Sequence, residues 1–279
     1  MADNLRDRAP KTISVSVIAP AAYLRDFAGQ SPATVHHVAA HRVLRDLAYR
    51  EFFLGEQQRG AAIIVDNGVF DLGESLRTDD LVRAARAVRA EEIILPDVMR
   101  DGEATMQAAD RAATQILDLS DEFRLCVVIH GADDAQWRRC YDHFTSAGYA
   151  SAVAFPASRQ KEPSRELSKN RAAATRYLAD HGLVDPARTY RLLGLGRTGH
   201  LELFEQREHE WISSVDCAAP VLLGAMGVRM LPAGPYEKIP TPRVETVQTI
   251  DPARFALIRD NIQAVRDAAG CPIQIRVPQ

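Results

Sequence analysis

The sequence predicts an α/β fold, a closed (βα)8 TIM barrel, on three observations. Short β-branched or apolar runs recur along the chain, stretches of amphipathic helical periodicity fill the intervals, and eight such runs can be placed. No internal repeat, low-complexity tract or linker divides the sequence, so residues 1–279 are expected to form a single domain. The runs fall at 13–19, 62–66, 92–95, 125–130, 151–155, 191–193, 211–216 and 273–277, and 220–231 is the alternative for the last of them. Between the second and third, Leu81, Ala84, Ala85 and Val88 recur at helical spacing. Asp101, ahead of Gly102-Glu103-Ala104, reads as a helix N-cap. Near the C-terminus Phe255, Ile258, Ile262 and Val265 mark a helix opened by Asp251-Pro252 and closed by Gly270. Two stretches break the rhythm: 158–168, a polar loop over the strand ends, and the proline-rich 231–249, an irregular excursion.

Composition narrows the function classes. Hydrophobic residues make up 46% of the chain, which is enough for a large core and excludes a disordered or disulfide-stapled scaffold. A formal net charge of −3 argues against wholesale nucleic-acid binding by charge, although a local basic patch is compatible with it. Cys126, Cys140, Cys217 and Cys271 form no CxxC or CxC pair, so they read as reduced thiols and not as a zinc knuckle or redox pair. The opening Met1-Ala2-Asp3-Asn4-Leu5-Arg6-Asp7-Arg8 lacks the apolar core of a secretory signal, and no run reaches the length of a membrane span. A cytoplasmic protein without membrane contact is expected.

In a parallel barrel, ligands bind at the C-terminal ends of the strands, and here the apolar runs end on polar residues. Ile63-Ile64-Val65 ends in Asp66-Asn67-Gly68, Ile93-Ile94-Leu95-Pro96 in Asp97, and Val127-Val128-Ile129 in His130-Gly131. Leu192-Leu193 ends in Gly194-Leu195-Gly196, and Ile212 to Val215 in Asp216. Each alone has an ordinary structural explanation, a cap or a tight turn. Their recurrence at one rim points to a site, because clustered carboxylates are costly without a ligand or reaction that uses them. Two chemistries suit the set. Asp66, Asp97 and His130 could hold a divalent ion, as in a metal-dependent aldolase or hydrolase. Alternatively, one carboxylate attacks C1′ of a nucleoside, a second handles a proton, and a third reads the edge of a planar base.

The same residues, in order from about Ile63 to Gly224, resemble the queuine and archaeosine tRNA-guanine transglycosylases and their DNA-modifying relatives, which insert 7-deazaguanine bases. Asp66-Asn67-Gly68-Val69-Phe70 is similar to the family's Asp-Ser-Gly-Gly-aromatic segment, and Leu95-Pro96-Asp97 to its guanine-pairing aspartate. Val127-Val128-Ile129-His130-Gly131 resembles the Ile-Val-Gln-Gly strand, and Leu192-Leu193-Gly194-Leu195-Gly196 the Leu-Met-Gly-Val-Gly run. Asp216-Cys217-Ala218-Ala219-Pro220 looks like the Asp-Cys-Val-x-Pro motif of the nucleophile. There are departures. His130 replaces a base-contacting glutamine, Ala154-Phe155 stands where the family has Gly-Gly, and Val221-Leu222 replaces Thr-Arg. The Cys-x-Cys-x-x-Cys zinc segment is absent.

The resemblance implies a base exchange needing neither cofactor nor metal, with Asp216 as nucleophile and Asp66 as general acid/base. It implies base contacts from Asp97, His130, Phe70, Leu193, Gly194 and Phe155, with His130 donating to the guanine O6. Arg159, Lys161 and Arg165 are the expected phosphate contacts. Loss of the zinc segment favours guanine-containing DNA over tRNA as the acceptor, with a 7-deazaguanine base as the small substrate. The rivals are the same chemistry on a free nucleoside or nucleotide, and a non-catalytic nucleic-acid-binding subunit. Assembly as a homo-oligomer or with a partner subunit is compatible with either.

Overall fold

Side chains alternate across a β-strand, and that alternation sorts the apolar runs into two cores. The computed structural model describes residues 12–29, 35–157, 165–195, 199–230 and 241–271. Its strands are β1 (Ser14–Val17), β2 (Val35–Ala39), β3 (Ala62–Asp66), β4 (Glu92–Ile94), β5 (Arg124–Val128), β6 (Ala150–Pro156), β7 (Thr189–Leu193) and β8 (Ile212–Cys217). All pair in parallel in the order β1-β8-β7-β6-β5-β4-β3-β2, an eight-stranded, nearly closed TIM barrel. The seam between β1 and β2 is bridged by a side chain, the backbone N–H of His37 donating to Ser16 Oγ at 2.9 Å. Ile64, Ile94, Cys126, Val128, Ala152 and Ala154 fill the barrel interior. Their neighbours Ile63, Val65, Ile93, Leu95, Val127, Val153 and Phe155 point outward under the helices.

The helices follow the strands. They are α1 (Leu24–Phe27) after β1, α2 (Ala40–Arg45) and α3 (Leu47–Gln58) after β2, and α4 (Val69–Leu72) and α5 (Thr78–Ala87) after β3. Next come α6 (Gly102–Leu119), α7 (Asp134–Ser146), α8 (Arg171–Asp180) and α9 (Glu202–Gln206), each after its strand, then α10 (Ala219–Ala225) and α11 (Phe255–Ala268) after β8. The anticipated caps form, with Asp101 accepting from the Ala104 N–H at 3.1 Å and Asp251 from the Ala253 N–H at 2.9 Å. Among the described residues no helix is long and apolar enough to cross a membrane. All four cysteines are free thiols.

Seven of the expected strands are present, and the eighth differs. It is Val35–Ala39, a stretch whose two central histidines mask its β-pattern. His36 faces outward, against Glu56 and the rings of Phe52 and Phe53, whereas His37 faces the opposite way. Residues 220–231 do not supply a strand: Pro220 sits in the first turn of α10, where its missing N–H is harmless. The run at 273–277 lies outside the described residues, as do 158–164 and 231–240 of the two irregular stretches.

Charge plugs the lower barrel. Arg191 of β7 donates from Nε and Nη2 to the two Glu92 carboxylate oxygens at 2.6 and 2.9 Å, and from Nη1 to Ser214 Oγ at 3.0 Å. Both members of the pair are nearly inaccessible to solvent. Removing the charge of one partner strands the other, so Glu92→Gln is expected to destabilise the fold by about 3–5 kcal/mol. Equilibrium urea unfolding of the variant beside the wild type checks this.

Candidate active site

At the C-terminal ends of the strands the inward alternation continues from apolar to charged residues. Asp66 lies two residues beyond Ile64, and Asp216 two beyond Ser214, so both carboxyls enter the barrel mouth above the apolar interior. Each is held by a glycine amide. Asp66 Oδ1 accepts from the Gly68 N–H at 2.8 Å, and Asp216 Oδ1 from the Gly194 N–H at 3.0 Å. Both glycines adopt left-handed backbone, φ 83° and 68°, a conformation that side chains other than glycine rarely adopt, and it turns their N–H groups back on the strand ends.

Burial pushes the Asp66 carboxyl up to about 7; the Gly68 N–H opposes the rise, and the nearby Asp216 and Asp97 charges add to it. Burial also pushes Asp216 up to about 6, against the Gly194 N–H and the Arg171 charge. His37 of β2, which sequence reasoning missed, is held down to about 3 by burial and by the Arg191 and His36 charges. Its Nδ1 stands 3.8 Å from Asp216 Oδ1. A neutral imidazole at that range makes neither an ion pair nor a hydrogen bond.

Asp97 is fixed from both sides. Asn67 Nδ2 donates to Asp97 Oδ1 at 2.7 Å and to the Leu95 carbonyl at 2.7 Å, and His130 Nε2 lies 2.7 Å from Asp97 Oδ2. The backbone N–H of Arg100 donates to His130 Nδ1 at 3.2 Å, which places the ring proton on Nε2, toward Asp97. Arg100 reaches that position with φ 69°, a left-handed conformation unusual for an arginine. His130 therefore has both nitrogens engaged and acts on Asp97. The expected donation from His130 to a base O6 does not fit this arrangement.

The remaining expected residues divide. Leu193 ends β7, packs against the interior cluster and adjoins Gly194 at the mouth. Phe70, on the short α4 after β3, is 68% exposed at the rim, where Leu72, Val98 and Met99 are exposed too. Phe155 is a correction: it is buried in the outer core, stacked near Trp137 and Tyr190, because the small Ala152 and Ala154 take the inward positions of β6. Arg165 is exposed ahead of α8, and Arg159 and Lys161 lie outside the described residues.

Arg171, the first residue of α8, also escaped sequence reasoning. Its buried guanidinium pairs with both Glu202 oxygens at 2.7 and 2.8 Å and donates to the carbonyls of Phe155, Leu193 and Gly194 at 2.9–3.0 Å. It thus clamps the strand ends that carry the Gly194 amide. Its sequence context is that of a surface helical arginine, so only the fold reveals the role.

No protein-family profile matches the chain, and no curated protein matches it. Among solved structures it is similar to a proposed fructose-1,6-biphosphate aldolase from Coccidioides immitis, at 11% identity over 94% of this chain and 88% of that one, TM-score 0.48. A dihydrodipicolinate synthase from Agrobacterium tumefaciens shares 13% identity over 93% and 80% of the two chains, TM-score 0.46. The homocysteine methyltransferase of Escherichia coli in its metallated form shares 15% over 74% and 75%, TM-score 0.39. All three are enzymes and none is a transglycosylase; the likeness is one of chain path alone.

Proposed function

We propose that the barrel mouth is the active site of a guanine transglycosylase, which exchanges guanine for a 7-deazaguanine base through a glycosyl ester on Asp216. One observation carries the reading: two half-buried carboxyls, at the ends of β3 and β8, are each fixed by a glycine amide and have pKa values about one unit apart near neutrality. At neutral pH Asp216 is mostly ionised and can attack, while Asp66 is divided between acid and base and can do both proton transfers.

In the first half-reaction an Asp216 oxygen forms a bond to C1′ as the C1′–N9 bond breaks. The electron pair leaves with guanine, and Asp66 supplies its proton. In the second, Asp66 takes the N9 proton of the incoming 7-deazaguanine, N9 attacks C1′, and the Asp216 carboxylate is released. Asp97, held by Asn67 and His130, keeps one further lone pair on each oxygen for the N1–H and amino group of guanine, a pairing that adenine cannot satisfy. Leu193 and Phe70 would cover the two faces of the ring. No metal is needed for these steps.

DNA is the acceptor we favour. The exposed Phe70, Leu72, Val98 and Met99 give the rim an apolar surface on which the bases flanking an extruded nucleotide could stack, a use that a free nucleotide would not have. Purified protein incubated with radiolabelled guanine and, separately, with DNA, tRNA and free guanine nucleotides tests this. Label entering DNA, and none entering the variant Asp216→Asn, is expected. Label only in free nucleotides would move the same chemistry to a metabolite, and label in no acceptor would refute the exchange reading.

A further inference from the structure

Beside the mouth, three residues from distant parts of the chain converge without an explanation in the chemistry above. His41 lies on α2, Asp71 on α4, and Glu245 on the 3₁₀ turn Val244–Thr246. One ligand atom from each lies within 4.8 Å of the others. The His41 side chain is only 6% exposed, yet its Nδ1 is buried with no hydrogen-bond partner among the described residues. A buried, unpaired imidazole nitrogen is costly and calls for an occupant. Its Nε2 is 3.9 Å from Glu245 Oε1, too far for a hydrogen bond. Two atoms bound to one transition-metal ion at about 2.0–2.2 Å each stand somewhat closer together than that, so a modest movement of the exposed Glu245 carboxylate closes the gap.

We propose that His41, Asp71 and Glu245 form a binding site for one first-row divalent transition-metal ion of the zinc class, separate from the carboxylates of the mouth. One imidazole and two carboxylates suit such an ion better than magnesium or calcium, which take oxygen ligands alone. Three protein ligands leave a position open for a further ligand, and two of them, His41 and Glu245, line a cavity of about 470 Å³ together with Pro20, Arg42 and Arg45. The geometry also gives the ion a mechanical role. Arg243 Nη1 already donates to the Asp71 carbonyl at 2.9 Å, tying the turn to α4, and a shared ion would lock the two together next to Phe70. The inference stands whether or not the mouth performs base exchange.

The test is a titration of the chelator-stripped full-length protein with Co2+, read by its visible ligand-field absorption, followed by displacement with Zn2+. One equivalent per chain is expected, together with a rise of a few degrees in the unfolding midpoint in excess Zn2+. His41→Ala should weaken binding by at least about 100-fold and Glu245→Gln, a surface change that leaves the core untouched, by at least about 10-fold. Asp66→Asn and Asp97→Asn should leave it unchanged. Absence of saturable binding would overturn the proposal, as would a spectrum that survives both His41→Ala and Glu245→Gln. So would a spectrum lost in Asp97→Asn, which would put the ion in the mouth.

Discussion

Replacing Asp216 by asparagine is expected to lower base exchange by at least about 10⁴-fold while the barrel stays folded, because a neutral amide cannot form the glycosyl ester. Asparagine is nearly isosteric with aspartate, and its Oδ1 can still accept the Gly194 N–H, so the loss is chemical rather than structural. Steady-state exchange of labelled guanine, with far-UV circular dichroism as the fold control, measures both. A variant retaining a tenth or more of wild-type activity would remove Asp216 from the nucleophile's role.

The second large effect belongs to Asp66 and has two parts of opposite sign. Asp66→Asn should lower exchange by about 10²–10⁴-fold, the usual contribution of a general acid/base. It should also abolish the upper limb of the pH profile. In the wild type the rate rises as Asp216 ionises near 6 and falls as Asp66 loses its proton near 7, giving a narrow maximum between them.

Stability moves the other way. The Asp66 carboxyl is raised from its ordinary 3.8 to about 7 on folding, so between these values the folded chain holds a proton that the unfolded chain has lost. Stability therefore falls as pH rises from about 4 to 7, and the penalty is fully present above 7. Asp66→Asn removes it, and the variant should be more stable than the wild type at pH 8 by on the order of 2 kcal/mol, allowing for solvent screening at the open mouth. The difference should fall toward zero below pH 4, where the Asp66 carboxyl is protonated in the folded and unfolded chains alike. Chemical denaturation at the two pH values decides it, and a destabilised Asp66→Asn at pH 8 would contradict the burial argument. The same sign applies to Asp216, whose shift is smaller.

Much of this arrangement was legible in the sequence, for local reasons. An apolar run that stops on aspartate marks both the strand and its end, which is why β3 and β8 and their carboxylates are readable from the sequence alone. β2 was hidden because His36 and His37 interrupt its apolar character, and both histidines have uses that only the closed barrel reveals: one against Glu56, the other at the mouth. The motif position of Phe155 points to the site, although the alternation of small Ala152 and Ala154 with large Val153 and Phe155 signals which face is inward. The roles of Asn67, Arg171 and the His41, Asp71, Glu245 cluster depend on partners 30 or more residues away, where no spacing rule reaches. His130 illustrates the same limit. Its position at a strand end was evident, but its engagement through both nitrogens was not.

A covalent bond between Asp216 and C1′ is directly visible to intact-protein mass spectrometry after incubation with a guanine-containing oligodeoxynucleotide and no incoming base. An adduct with the mass of protein plus oligonucleotide less guanine is expected, mapping to Asp216, absent from Asp216→Asn and discharged by added 7-deazaguanine base. Exchange that proceeds with no adduct under any quench, or an adduct that persists in Asp216→Asn, would contradict it.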